Sequence, residues 1–166
     1  KLALITLKDS GTAVTGFADL AKAKSIALAD GSVPAGKYTR QLLINLGVLD
    51  GSKDAKEYTT AEVSAALGGV EINECGNVSK VKEAVKEGSN EVGTVYYSDA
   101  YSVKDDVTIL EVADTKLTGD IIYPVCRVNN PEATAAETAA ADDFIAFLQT
   151  DAVKAIFEKY MFVIYE

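Results

Sequence analysis

The sequence predicts an α/β fold with a largely parallel sheet. Two observations predict it. Short apolar runs bounded by polar residues alternate with amphipathic segments through residue 128, the order that builds strand–helix–strand units. Capping residues and glycines mark the changes, as Asn77 and Gly88 do around one helical segment. A length of 166 residues fits one ordinary domain able to bury a core.

In chain order, "KLALITL" (1–7) predicts a buried strand, followed by a turn and a short helix over Phe17–Ala23. "KSIALAD" (24–30) predicts a second strand. A helix then starts at Pro34, with Tyr38, Leu42 and Leu46 on one face and Gly47 as its stop. Residues 48–60 form a polar loop, 59–69 a short helix ended by two glycines, and 70–74 an alternating strand. Asn77 caps a helix whose face is Val78, Val81 and Val85. Strands are expected over 91–97, 106–113 and 120–128, the last at an edge or crossover because of Pro124. From Asn129 the composition shifts to two helices. One presents Phe144, Phe147 and Leu148; the other, capped by Thr150 or Asp151, turns Val153, Ile156, Phe157 and Tyr160 inward. No internal repeat or low-complexity linker interrupts the chain.

Composition excludes several functions. A net charge of −9 argues against nucleic acid, whose binding surfaces are basic. It does not forbid a small anion, because screening acts over about 8 Å and local geometry overrules net sign. No run approaches the roughly 18 apolar residues of a membrane span. Lys1 leads straight into a strand with no small-residue cleavage site, so these residues read as cytosolic or as a mature or trimmed secreted fragment. Cys75 and Cys126 lack metal or redox spacing and are expected as ordinary thiols, with a disulfide as the alternative. Histidine is absent, which removes the commonest general base and metal ligand. Ser10 and Ser32 therefore have nothing to activate them. Asp105–Asp106 and Asp142–Asp143 read as solvated faces or caps. No catalytic or metal site is expected.

The stretch "LADGSVPAGKY" (28–38) carries the most information. Gly31–Lys37 matches GxxxxGK, but Tyr38 stands where a P-loop needs Ser or Thr, and Pro34 does not suit a phosphate-wrapping loop. Proline at the first helical position costs nothing, since its missing N–H would have no helical partner there. The amides of Ala35 and Gly36 remain as donors at the positive end of a helix, an anion site made of backbone. Gly36 would let an anion approach closely. The same turn equally serves as an ordinary proline-started helix. Asn77–Val78 is a second helix start with free amides, or a plain cap. "GTVYYSDA" adds tyrosines at a strand end, able to donate to an oxyanion or simply to pack.

Together, "SVPAGKYTRQLLINLG", "GNVSKVKEAVKEGSNEVGTVYYSDAYS", "IIYPVCRV" and "FLQTDAVKAIFEKYMF" closely resemble the molybdate-binding proteins of bacterial ABC importers. The resemblance runs from about residue 1 to 164. It implies a type II periplasmic-binding-protein fold: two lobes, extracytoplasmic, no enzyme activity and no cofactor. It implies an oxyanion, molybdate or tungstate, held without metal or counter-charge. The positions carried over are Ala35 and Val78, each by its backbone N–H, and Tyr96 by its hydroxyl, with Gly36 and Asn77 beside them. The implied partners are the oxyanion and a membrane permease.

The sequence departs from the family in three places. The turn before Val33 is one residue shorter, 51–74 resembles an insertion, and the family's N-terminal half-lobe with its two serine-bearing loops has no counterpart. The resemblance therefore divides the chain into a ligand-binding second lobe (1–122) and a crossover strand with C-terminal helices of the first lobe (123–166). Weak or absent ligand binding is expected of this chain alone. Phe147, Phe157 and Tyr160 are expected to be exposed, or covered by a second copy or an N-terminal fragment. The alternative reading is a cytosolic effector-sensing domain of a transcriptional regulator with the same bilobal fold.

Overall fold

The computed structural model describes residues 1–164. The chain divides into two compact units, Lys1–Ile121 and Ile122–Glu166. The first contains a five-stranded sheet: β1 (Leu2–Leu7), β2 (Ser25–Ala29), β3 (Glu71–Cys75), β4 (Val92–Tyr96) and β5 (Val107–Val112), in the order β3-β2-β4-β1-β5. β2 runs parallel to β3 and β4, while β1 pairs antiparallel with β4 and β5.

The expectation of a largely parallel sheet holds: β2, β3, β4 and β5 run the same way, and β1 alone is reversed. Parallel neighbours need a crossover of about a dozen residues or more. Helices α1 (Pro34–Asn45), α2 (Thr60–Ala66) and α3 (Val78–Lys86) supply such crossovers for β2, β3 and β4. Alternation of elements carries no information on the direction of β1. This strand inserts between β4 and β5 and pairs antiparallel with both.

The two main helices lie on opposite faces. A Cβ on Gly93 would stand 2.7 Å from Val85 and 2.9 Å from Val81, so α3 rests directly on β4 there. The next residue, Thr94, accepts a hydrogen bond from Thr39 of α1 at 3.0 Å. Successive strand residues point to opposite faces, so α3 covers one face of β4 and α1 the other. Leu2, Leu4, Ile5, Leu28, Leu42, Leu43, Val81 and Val85 form the buried core with them.

Local signals account for the helix ends. The Asn77 side chain accepts from the Lys80 amide at 2.9 Å, as a cap should. Thr59 and Glu62 form a capping box at α2, and Gly47 takes a positive φ of 75° just beyond α1. The segment expected at 17–23 is a 3₁₀ helix, Phe17–Lys22. After β4 come α4 (Tyr97–Tyr101) and, after β5, α5 (Thr115–Thr118).

Gly36 is where the structure departs most from the sequence reading. A Cβ there would lie 2.0 Å from the Asp30 carbonyl oxygen and 2.4 Å from that of Ala29. The first turn of α1 presses against the end of β2, and only glycine leaves room. Its missing side chain is a packing requirement, independent of any ligand.

In the second unit the expected strand over 120–128 is absent: residues 119–130 have no regular structure. A strand needs a neighbour, and Pro124 cannot donate to one; among the described residues this segment pairs with no strand, so the expected crossover strand is corrected to an irregular segment. Helices α6 (Ala135–Leu148) and α7 (Asp151–Lys159) follow, capped by Thr134 and Thr150. Val153 is buried, but Ile156, Phe157 and Tyr160, expected to turn inward with it, are not. Phe144, Phe147, Phe157 and Tyr160 are exposed. Within this unit Phe162 meets Phe157 and Tyr123 edge-on, at 5.7 and 5.8 Å between ring centres. Cys75 and Cys126 are both free thiols, as expected.

Replacing Gly36 by alanine is expected to lower stability by about 1–3 kcal/mol or more, because the new methyl meets backbone that cannot give way. Lys37→Ala, on the exposed side of the same turn, should change it by less than about 0.5 kcal/mol. Urea unfolding of the two variants checks this.

A second prediction concerns acid. Hydrogen bonds from Tyr58 and Ser52 hold the Asp50 carboxyl down to about 2, from 3.8. A carboxyl depressed in the folded state stabilises the fold above its unfolded pKa and loses that contribution as pH falls towards the folded one. Tyr58→Phe should therefore lower the urea midpoint at neutral pH, and the gap should narrow as pH falls from about 4 towards 2. A gap independent of pH would contradict this.

Candidate functional site

The three parallel strands β3, β2 and β4 end along one edge of the sheet. Ligands of open α/β sheets bind at such an edge, where helices begin. α1 starts after β2, α3 after β3, and Tyr96 is the last residue of β4.

Ala35 and Tyr96 stand abreast on one face. The Thr39 hydroxyl lies within hydrogen-bonding distance of both the Ala35 carbonyl (2.8 Å) and the Thr94 hydroxyl (3.0 Å), tying the helix to the strand. Going towards the edge, Ala35 is one turn above Thr39, about 6 Å along a helix. Tyr96 is two residues above Thr94, about 6.6 Å along a strand, and by alternation points to the same face. Val78 reaches the edge from the other face. It opens α3, one turn before Val81, which packs on Gly93 of β4. The two helix starts therefore flank the end of β4, with Tyr96 between them.

The first turns present amides. Val33 is the N-cap of α1, Pro34 the first helical residue, and Lys37 the first amide to donate into the helix, to the Val33 carbonyl at 3.0 Å. Ala35 and Gly36 are thus first-turn donors without an acceptor inside the helix. Val78 is also a first-turn donor, at the first helical position of α3 that Pro34 holds in α1. The Asn77 side-chain oxygen is taken up by capping Lys80. Ala35 has 0% of its surface exposed and Gly36 is buried, whereas Val78 and Tyr96 are half-buried and Asn77 is exposed.

Charged groups near the edge are few. Asp99, in α4 just beyond Tyr96, has its carboxyl pushed up by burial, an effect that Lys82 of α3 opposes. Asp30 closes the β2–α1 turn by accepting from the Ser32 amide (2.8 Å) and hydroxyl (2.5 Å), which holds its carboxyl below the usual range. Among the described residues no group of acidic or thiol side chains could hold a metal ion, and no helix is long and apolar enough to cross a membrane.

The sequence reading missed Thr39, Thr94 and Arg40, all buried polar side chains on the α1 side of the sheet. Thr39 and Arg40 sit one turn after Ala35 and Gly36, a spacing that could have marked them, but nothing local shows that Arg40 turns inward. A cleft of about 450 Å³ opens beside Arg40, lined also by Asp30, Gly31, Tyr58, Thr60 and Glu74. It includes none of Ala35, Val78 and Tyr96.

An edge of amides and one phenol offers hydrogen-bond donors suited to a small anion. The chain belongs to the family of bacterial extracellular solute-binding proteins, whose description it matches over residues 1–163. That family is extracytoplasmic, as the resemblance implied. The chain is 30% identical over 163 residues to YvgL of Bacillus subtilis (strain 168), assigned as an ABC transporter substrate-binding lipoprotein, covering 98% of this chain and 55% of the relative. It is similar to the substrate-binding domain assigned to a molybdenum ABC transporter of Clostridium difficile, with 30% identity and a TM-score of 0.73, covering 99% of this chain and 63% of the other. The periplasmic molybdate-binding protein of Azotobacter vinelandii shares the fold, with a TM-score of 0.61 and 16% identity over 99% of this chain and 66% of the other. The chain thus spans about half the length of the curated relative and under two thirds of these solved structures.

Proposed function

We propose that the protein binds a tetrahedral oxyanion, molybdate or tungstate, and delivers it to the membrane permease of an ABC importer. The observation that carries this reading is the pairing of two helix starts across the end of β4, with Tyr96 between them. Amides at helix N-termini suit a small anion, and a phenol adds a directional donor. The likeness to the substrate-binding domain assigned to a molybdenum transporter supports the choice of oxyanion.

In this reading the ligand meets the backbone N–H groups of Ala35 and Val78 and the hydroxyl of Tyr96, with Gly36 and Asn77 shaping the two turns. Donors alone favour a fully deprotonated ligand, since no carboxylate accepts a proton from one that still carries it. Residues 1–122 act as the ligand-binding second lobe. Residues 123–166 supply helices to a first lobe completed by chain beyond this sequence or by a second copy, which would cover Phe147, Phe157 and Tyr160. The sealed position of Ala35 and the lack of an opposing lobe both make weak binding the expectation for this chain alone.

Calorimetry of the full-length protein with molybdate, tungstate and sulfate tests the reading. Tight binding of one or more is expected; no heat from any of the three would refute it. Two variants test the site. Tyr96→Phe removes one hydrogen bond to a charged group, worth about 1.5–3 kcal/mol, so molybdate affinity should fall about 10- to 150-fold. Val78→Pro deletes the amide donor while keeping α3, because proline is tolerated at a first helical position and Asn77 already has the extended backbone proline demands of its predecessor. A comparable loss is expected with the circular dichroism of the helices retained. Wild-type affinity in both variants would remove Val78 and Tyr96 from the site.

A further inference from the structure

The wall of the cleft beside β2 holds a side chain that the ligand reading does not use. Arg40 has 0% of its surface exposed. Its Nη1 donates to the Ala29 carbonyl at 2.9 Å and to the Gly36 carbonyl at 3.1 Å, and its Nε to the Tyr58 carbonyl at 2.7 Å. Among the described residues it forms no ion pair. Glu74 and Asp30 lie near enough to favour its charge, against the burial that disfavours it.

The two carbonyls on Nη1 flank the turn of residues 30–35. One nitrogen therefore grips the last residue of β2 and the first turn of α1 together. The Nε bond ties the same point to the chain beyond α1, at the residue that follows the short 3₁₀ helix Ala55–Glu57. Burying a cation is costly, and an apolar residue would fill the space at lower cost. A planar fork with fixed donor directions is what an apolar residue, or lysine, cannot supply.

We propose that Arg40 is the positioning residue of the ligand site: it fixes the β2–α1 turn so that the Ala35 and Gly36 amides keep their aim. The role in binding rests on the oxyanion reading above; the role in holding the turn does not. Arg40→Met and Arg40→Lys test it in two ways. In this 166-residue chain, amide hydrogen exchange by NMR should quicken about tenfold or more across residues 31–36, with Leu4, Val81 and Val85 unchanged. Exchange that rises no more at 31–36 than in β1, or full restoration by lysine, overturns the proposal. In the full-length protein, Arg40→Met should raise the molybdate Kd about tenfold or more with helical content retained. Wild-type protein that binds none of molybdate, tungstate and sulfate refutes the oxyanion reading and leaves the exchange experiment to decide on Arg40. Should neither variant fold, the native chain decides. The Arg40 Nε–H should exchange about tenfold or more slowly than that of exposed Arg127, and equal rates would overturn the proposal.

Discussion

The approach of α1 to the end of β2 is the constraint on which the rest of this unit depends. At Gly36 the helix backbone comes so near the Ala29 and Asp30 carbonyls that no side chain fits between them. That contact sets the height of the helix over the sheet. From it follow the Thr39–Thr94 bond one turn down, the burial of Leu42 and Leu43 beyond, and the level of Ala35 at the edge. Gly93 performs the same service on the other face, letting Val81 and Val85 rest on β4. Two glycines, one in a helix and one in a strand, thus bring both helix starts to the same strand end.

Much of this was legible in the sequence, for stated physical reasons. Caps and stops are local, so Asn77, Gly47 and the helix after Pro34 could be placed from neighbouring residues alone. The edge arrangement followed from alternation, because parallel strands must begin their helices on one side. The direction of β1 was not legible, since pairing partners are chosen across the whole sheet. Nor was the fate of 120–128: its composition suits a strand, but strand formation depends on a neighbour that composition does not reveal.

The site was legible only in part. Ala35, Val78 and Tyr96 could be named as candidates because a backbone anion site and a terminal tyrosine would leave such traces in sequence, and the family resemblance joined them. The packing need at Gly36 was not legible. A glycine at a helix start fits both a ligand and a neighbouring strand, and only the three-dimensional distances tell them apart. Arg40 shows the opposite difficulty. Arginine inside a helix usually lies on the solvent side, and its inward turn is visible only once the carbonyls of Ala29, Gly36 and Tyr58 are seen to converge.

A site built from main-chain donors has an unusual relation to mutation. Every residue but proline carries the same N–H, so changes at positions 35 and 78 can alter shape and packing while leaving the donor itself in place. In the proposed site, the information that would select the ligand lies in the path of the chain, and therefore in residues such as Gly36 and Gly93 that set the path without offering a polar side chain. In a lineage of such proteins, the positions touching the ligand would be free to drift in side-chain chemistry while the spacers behind them stay fixed. That reverses the pattern of an enzyme site, where the groups that touch substrate are the ones that cannot change.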